Sequence, residues 1–179
     1  KSIFIVFQAG VNPQSAGQLL SAITNAINSQ FTEVTILISS PGGSIFDVMN
    51  IAALIKSSPI PINIHNIGQI DSIASVIFSA GTKRFAQKNS SFLFHGVMAN
   101  FGQSSLTEEQ LGERLATLRR DRENIAKNVS DFTGIDYKII DDLMKKGGII
   151  SSEEAKNIGL VHEIVEAKIP AGVQIVTIA

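Results

Sequence analysis

The chain has 179 residues, 44% of them hydrophobic, which suits one compact domain over 1–179 with a sizeable core. Lys and Arg number 15 against 16 Asp and Glu, a formal net charge of -1, so the charge balance makes no case for nucleic acid or an anionic membrane as partner. The lack of cysteine excludes disulfides, thiolate catalysis and Cys-ligated zinc.

No apolar stretch reaches the roughly 18 residues that a membrane helix needs. The opening Lys1-Ser2-Ile3-Phe4 lacks the long apolar region of a signal peptide, so a cytoplasmic protein is expected.

Ile3 to Phe7 is a β-branched and aromatic run that reads as a buried strand. Pro13 opens a helix with Ala16, Leu19, Leu20, Ile23, Ala26 and Ile27 on one face. Val34 to Ile38 is a second strand, closed by Ser39-Ser40-Pro41-Gly42-Gly43. Ser44 caps the next helix, which carries Val48, Ile51, Ala52 and Ile55 and stops at Pro59 and Pro61. Ile62 to Ile67 reads as a third strand, followed by a turn opening at Gly68. A helix from about Ile73 to Ala80 ends at Gly81, and Ser91 to His95 is a further strand. This alternation, with strands apolar on both faces, is that of an α/β protein with a parallel sheet and crossover helices.

From Thr107, Leu111, Leu115, Leu118, Ile125, Val129 and Phe132 recur at helical spacing to an end near Gly134. So narrow an apolar stripe fits a helix laid along its own domain or an arm docking on another subunit. A helix from Asp136 to Lys145 follows, then one capped by Ser151 or Ser152 and ended by Gly159. Val161 to Val165 and Val173 to Ile178 read as the last strands.

Ser72 follows a strand and a Gly68 turn and precedes a helix, the geometry of a nucleophile elbow, although G-x-S-x-G is not spelled; the plain alternative is a helix N-cap. Pro41-Gly42-Gly43 lets backbone amides approach a ligand closely and can supply an oxyanion donor, or it is an ordinary strand-to-helix turn. It is no phosphate loop, because no Lys-Ser/Thr follows. Among three histidines, His95 ends a strand and suits a base for a serine hydroxyl, or bonds to backbone. His65 reads as a core or interface residue, and His162 lies in a late strand. No HExxH spacing is present and no metal is expected.

Four ordered blocks are similar to those of the ClpP-type family, the proteolytic subunits of the Clp protease within the crotonase-like superfamily. They are Ile38-Ser39-Ser40-Pro41-Gly42-Gly43-Ser44, Gly68 to Ala74 with Ser79-Ala80-Gly81 and Lys83-Arg84-Phe85, Asn89 to His95, and Ser151 to Val161. The resemblance runs from about Ile3 to Val165 and implies a superhelix of ββα units with a long handle helix at about 107–132. It implies a serine endopeptidase with Ser72 as nucleophile, His95 as general base and the Gly43 and Ile73 amides as oxyanion hole, working without a cofactor. Residues around Val97 to Phe101 would border a groove where an extended peptide adds as a strand. The implied partners are unfolded polypeptide or peptide substrate, further copies of the chain in stacked rings, and an ATPase unfoldase.

The place of the family's triad aspartate falls on Gly147. Asp141, Asp142 and Asp136 lie upstream of it, and Asp71, pointing away from Ser72 on a sharp elbow, is not expected to reach His95. A backbone carbonyl or a water is left to orient the ring. The rival readings are a non-catalytic ring subunit, motivated by Gly147; crotonase-like acyl-CoA chemistry, which lacks a pair of catalytic carboxylates; and a Ser–Lys signal-peptide peptidase, which leaves His95 unexplained.

Overall fold

β-Branched runs build the sheet first. β1 (Ser2–Gln8), β2 (Glu33–Ser40) and β3 (Ile62–Asp71) pair in parallel, with Ile5 beside Ile36 and Ile36 beside Ile64. The structure is a computed structural model and describes residues 1–100, 102 and 105–179. Helices α1 (Pro13–Asn28), α2 (Ile45–Ser57) and α3 (Ala74–Ser79) follow the first three strands and bury one face of the sheet. Asn12 caps α1 in a capping box with Ser15, and Ser44 caps α2 through the Asp47 amide.

The remaining elements are β4 (Arg84–Ala86), β5 (Ser91–Phe94), α4 (Glu108–Thr133), α5 (Tyr137–Lys146), β6 (Gly148–Ser151), α6 (Ser152–Asn157), β7 (Glu163–Ile164) and β8 (Gln174–Ile178). The sheet order is β6-β5-β3-β2-β1-β8, with β4 on β3 and β7 on β4. This is the expected α/β architecture with a long helix from Thr107. No helix among the described residues is long and apolar enough to cross a membrane.

The fold departs from the sequence reading at two places that matter for the site. β3 does not end at Ile67 but runs on to Asp71. The Asn66 side chain takes the Gly68 amide and Ser39 Oγ takes the Gln69 amide, so side chains replace ladder bonds across the register shift between Ile38 and Ser40. Below the shift β3 pairs with β4, and above it with β5. A Cβ at Gly68 would stand 2.8 Å from Ser39 Oγ, so a side chain there would have to displace the hydroxyl that holds the Gln69 amide.

The sheet is also not wholly parallel: β6 runs antiparallel to β5, pairing Phe94 with Gly148. Gly147 and Gly148, at φ +67° and +140°, reverse the chain straight from α5 into this strand. Read locally, the same two glycines are only a helix stop.

Arg84 is buried and donates Nε to the Leu160 carbonyl at 2.8 Å and Nη2 to the Gly159 carbonyl at 3.2 Å, pinning β4 to the turn after α6. His162 precedes β7 rather than lying in it, and its Nδ1 accepts from the Arg84 amide. His65 is buried on the sheet face opposite the main core, beside the Phe85 ring.

α4 is divided along its length. Ile125, Ala126 and Val129 are buried, where α4 meets α3 and α5, whereas Glu108–Thr117 are exposed throughout. Asp141 on α5 anchors the packed half, with Lys145 Nζ at 2.6 Å and Arg122 Nε at 3.0 Å. The Lys145 bond first, and Arg122 after it, hold the Asp141 carboxyl below its ordinary value against the opposing effect of burial. A depressed carboxylate stabilises the fold above its unfolded pKa, and this is lost as pH falls through the folded one. Asp141→Asn is therefore expected to unfold at lower urea than the parent at pH 7, with the gap closing below about pH 4.

Candidate active site

Three chain segments meet around one cleft of about 270 Å³, lined by Gly43, Ser72, Ile73, His95, Ile125 and Met144 among others. Ser72 comes from the end of β3, His95 from the end of β5, and Gly43 from the turn between β2 and α2.

The elbow is a left-handed residue. Ser72 has φ +56°, a conformation that costs a non-glycine residue on the order of 1 kcal/mol. Its amide donates to the Leu93 carbonyl at 2.8 Å, tying the elbow to β5 two residues before His95. Its carbonyl accepts from the amide and the hydroxyl of Ser75. The plain reading as an N-cap does not describe Ser72: the cap of α3 is Ile73, and no side chain bonds there. Ser72 Oγ has no partner among the described residues.

The glycine turn is packed against this elbow. A Cβ on Gly42 would lie 2.9 Å from the Asp71 carbonyl and 3.1 Å from Ser72 Cβ, and one on Gly43 would lie 2.1 Å from the Val11 carbonyl. Val11 locks the turn on its other side, its amide donating to Gly42 O at 2.7 Å and its carbonyl accepting from Ser44 N at 2.8 Å. In such a parallel bridge the Gly43 amide faces away from Val11. The Gly43 and Ile73 amides are unpartnered among the described residues, and both residues line the cleft.

His95 Nδ1 lies 2.6 Å from the Gly96 carbonyl. A carbonyl only accepts, so Nδ1 carries the proton and the neutral ring presents Nε2 as a base. Ser72 and His95 share the cleft without a direct hydrogen bond among the described residues; such bonds often tighten only when substrate is present.

Extending the β5–β6 register by one pair beyond Phe94 and Gly148 sets Gly147 opposite His95. The upstream carboxylates are engaged elsewhere or exposed: Asp141 binds Lys145 and Arg122, Asp136 caps α5 through the Lys138 amide, and Asp142 is exposed. Asp71 makes no hydrogen bond to His95, as expected, and its Oδ2 instead accepts from Gln69 Nε2 at 2.9 Å. Burial pushes the Asp71 carboxyl above its ordinary value, and the charge of His95 partly offsets this.

Val97 and Met98 line the cleft, Ala99 and Asn100 are exposed, and Phe101 lies outside the described residues. Ile125, a wall of the same cleft, was legible only as a helix-face position, because periodicity marks burial and not what a residue is buried against, and Met144, another wall, was not singled out by any sequence signal.

Ser72→Gly is expected to raise stability to urea by about 1 kcal/mol, since glycine adopts the left-handed conformation freely. Ser72→Ala keeps the strain and should gain nothing comparable.

A model of the Clp protease family matches residues 1–168. The chain is 34% identical over 139 residues to an ATP-dependent Clp protease proteolytic subunit 2 of Frankia casuarinae, an alignment covering 76% of this chain and 62% of that protein. It is 27% identical over 135 residues to the protein of the same name from Corynebacterium glutamicum, covering 74% of this chain and 66% of the other. The chain thus spans a little under two thirds of the length of these curated relatives. With a match running through every element from β1 to β7, the chain belongs to the Clp protease family.

Proposed function

We propose that this chain is a serine endopeptidase that cleaves unfolded polypeptide or peptides through an acyl-enzyme. The observation that carries the reading is an unpartnered hydroxyl on a left-handed elbow, sharing a cleft with a histidine whose Nδ1 is already held. Ser72 Oγ attacks the scissile carbonyl carbon while His95 Nε2 takes its proton. The oxyanion is received by the Gly43 and Ile73 amides. As the tetrahedral species collapses, His95 passes the proton to the leaving amine; water then enters and the ester is hydrolysed by the same route. No cofactor enters any step.

A non-catalytic subunit draws its support from Gly147 alone. The Gly96 carbonyl supplies the orientation of the ring that the missing aspartate would give, so the active reading is preferred.

The relatives are named as ATP-dependent Clp protease proteolytic subunits. By that likeness this chain is a subunit of a cytoplasmic ring-shaped protease, working with further copies of itself and fed by an ATPase unfoldase. The exposed first half of α4 supports the docking-arm reading of that helix. Leu111 and Leu115 are 51% and 47% exposed, with Leu118 half-buried on the same stripe, and among the described residues no helix or strand covers Leu111 and Leu115.

A phosphonofluoridate probe is expected to modify Ser72 alone, as read by peptide mass mapping, and Ser72→Ala should lose both labelling and cleavage of an unstructured peptide. His95→Ala should slow labelling by about 10²-fold or more. An unmodified Ser72 in the assembled protein would sink the peptidase reading.

Leu115→Glu with Leu118→Glu is expected to lower the sedimentation coefficient by breaking the contact between subunits while leaving the far-ultraviolet circular dichroism intact. A particle of unchanged size would refute the arm.

A further inference from the structure

The sheet ends on a strand that is open along one side. β8 pairs with β1, and its other edge has no partner among the described residues. Its five residues, Gln174-Ile175-Val176-Thr177-Ile178, include no charge, no Pro and no bulge, the usual devices that keep a bare edge from pairing. β6, at the opposite end of the sheet, is flanked in the chain by Lys145 and Lys146 before it and by Glu153 and Glu154 after it. β8 also lies beyond residues 1–168, so the family match does not account for its edge.

Beside this edge runs a groove of about 690 Å³ between α1 and β8. Ile3, Ala22, Ala26, Phe31 and Ile178 form its buried floor. Gly17, Ser21 and Asn25, exposed at one-turn intervals along α1, form its helical wall. None of the lining residues is charged, and α1 carries no charge over its sixteen positions, where a solvent-facing helix ordinarily does. Depletion of charge is what distinguishes the centre of a protein–protein contact from the rest of a surface. Lys1 stands at one end, its Nζ 4.1 Å from the centre of the Phe31 ring.

The occupant that fits is an uncharged strand rich in β-branched residues, and β8 is itself such a strand. Gln174, Val176 and Ile178 lie beside Ile3, Ile5 and Phe7, on the sheet face that α1 covers. Set antiparallel about a two-fold axis at Val176, two copies of β8 bring Val176 opposite Val176 and Gln174 opposite Ile178 on that face, and Ile175 opposite Thr177 on the other. The two Lys1 side chains fall at opposite ends of the joint. α1 packs on both β1 and β8. The two α1 helices therefore stand two strand spacings apart, roughly 10 Å, which is a helix-packing distance. The small, uncharged ridge of Gly17, Ser21 and Asn25 lets them approach, and each groove is filled by the other copy.

We propose that two copies of this chain associate through β8, joining their sheets into one, with the two α1 helices packed side by side over the joint. This surface shares no residue with the α4 stripe, and it does not depend on the peptidase reading.

The chain has no cysteine, so a single one reports the contact. Val176→Cys meets its own copy across the axis, where opposed Cα atoms are about 4.5 to 5.5 Å apart, within the span of a disulfide. Under mild oxidation at micromolar protein it should form a linked dimer about 10²-fold faster than Lys88→Cys, an exposed position between β4 and β5. A Cβ at Gly17 meets nothing within 4 Å in the single chain, and glycine is a poor helix former, so Gly17→Glu should fold. It sets two carboxylates into the joint. It should abolish the linkage through Val176→Cys, and it should lower the sedimentation coefficient of the chain that already carries Leu115→Glu and Leu118→Glu. Linkage at Val176 no faster than at Lys88 would overturn the pairing. So would linkage that survives Gly17→Glu, or an unchanged sedimentation coefficient.

Discussion

The site depends on a steric clamp. The Gly42–Gly43 turn lies between the Val11 backbone on one side and the Asp71–Ser72 backbone on the other, at distances that admit no side chain on either glycine. The Val11 bonds to Gly42 O and from Ser44 N fix the turn's height above the sheet, and they leave the Gly43 amide facing the cleft. Because β1, β2 and β3 are adjacent parallel strands, the segments following them emerge at the same end of the sheet. The clamp converts this coarse proximity into a placement of amide and hydroxyl in one small volume.

The elbow is the second consequence. β3 is pulled past Gly68 by side-chain bonds from Asn66 and Ser39, and the Leu93 carbonyl then holds the Ser72 amide, so Ser72 is fixed by both neighbours in a conformation it would not choose. Strain of this kind persists only where the surroundings over-determine it. Here the surroundings are the core pair Ile70 and Phe92, buried side by side in the β3–β5 register.

The histidine is oriented by its own chain. A ring held by the carbonyl of the next residue keeps its tautomer without help from β6, which frees Gly147 to serve as the turning point from α5 into β6. The long helix shows a similar division of labour. Its second half belongs to the core, while its first half, about 20 Å at the usual rise of an α-helix, carries an apolar stripe that stays exposed among the described residues.

The alternation of strands and helices, Pro13 at the start of α1, the caps at Ser44 and Thr107, the glycine turn, and Ser72 and His95 as separate candidates were legible in the chain, because each is written in residues within a few positions of it. The 26-residue length of α4 was equally plain from its periodicity and Gly134. Other features came only from tertiary structure. The last residues of β3 are strand because Asn66, Ser39 and β5 make them so, and β6 is strand because β5 offers an unpaired edge to four residues, Gly148 to Ser151. Which half of α4 is buried and which residue of β6 stands opposite His95 were decided by the pairing of segments far apart in the chain. Local propensity is set by neighbouring residues, whereas register and contact are set by which distant partners can be satisfied at once.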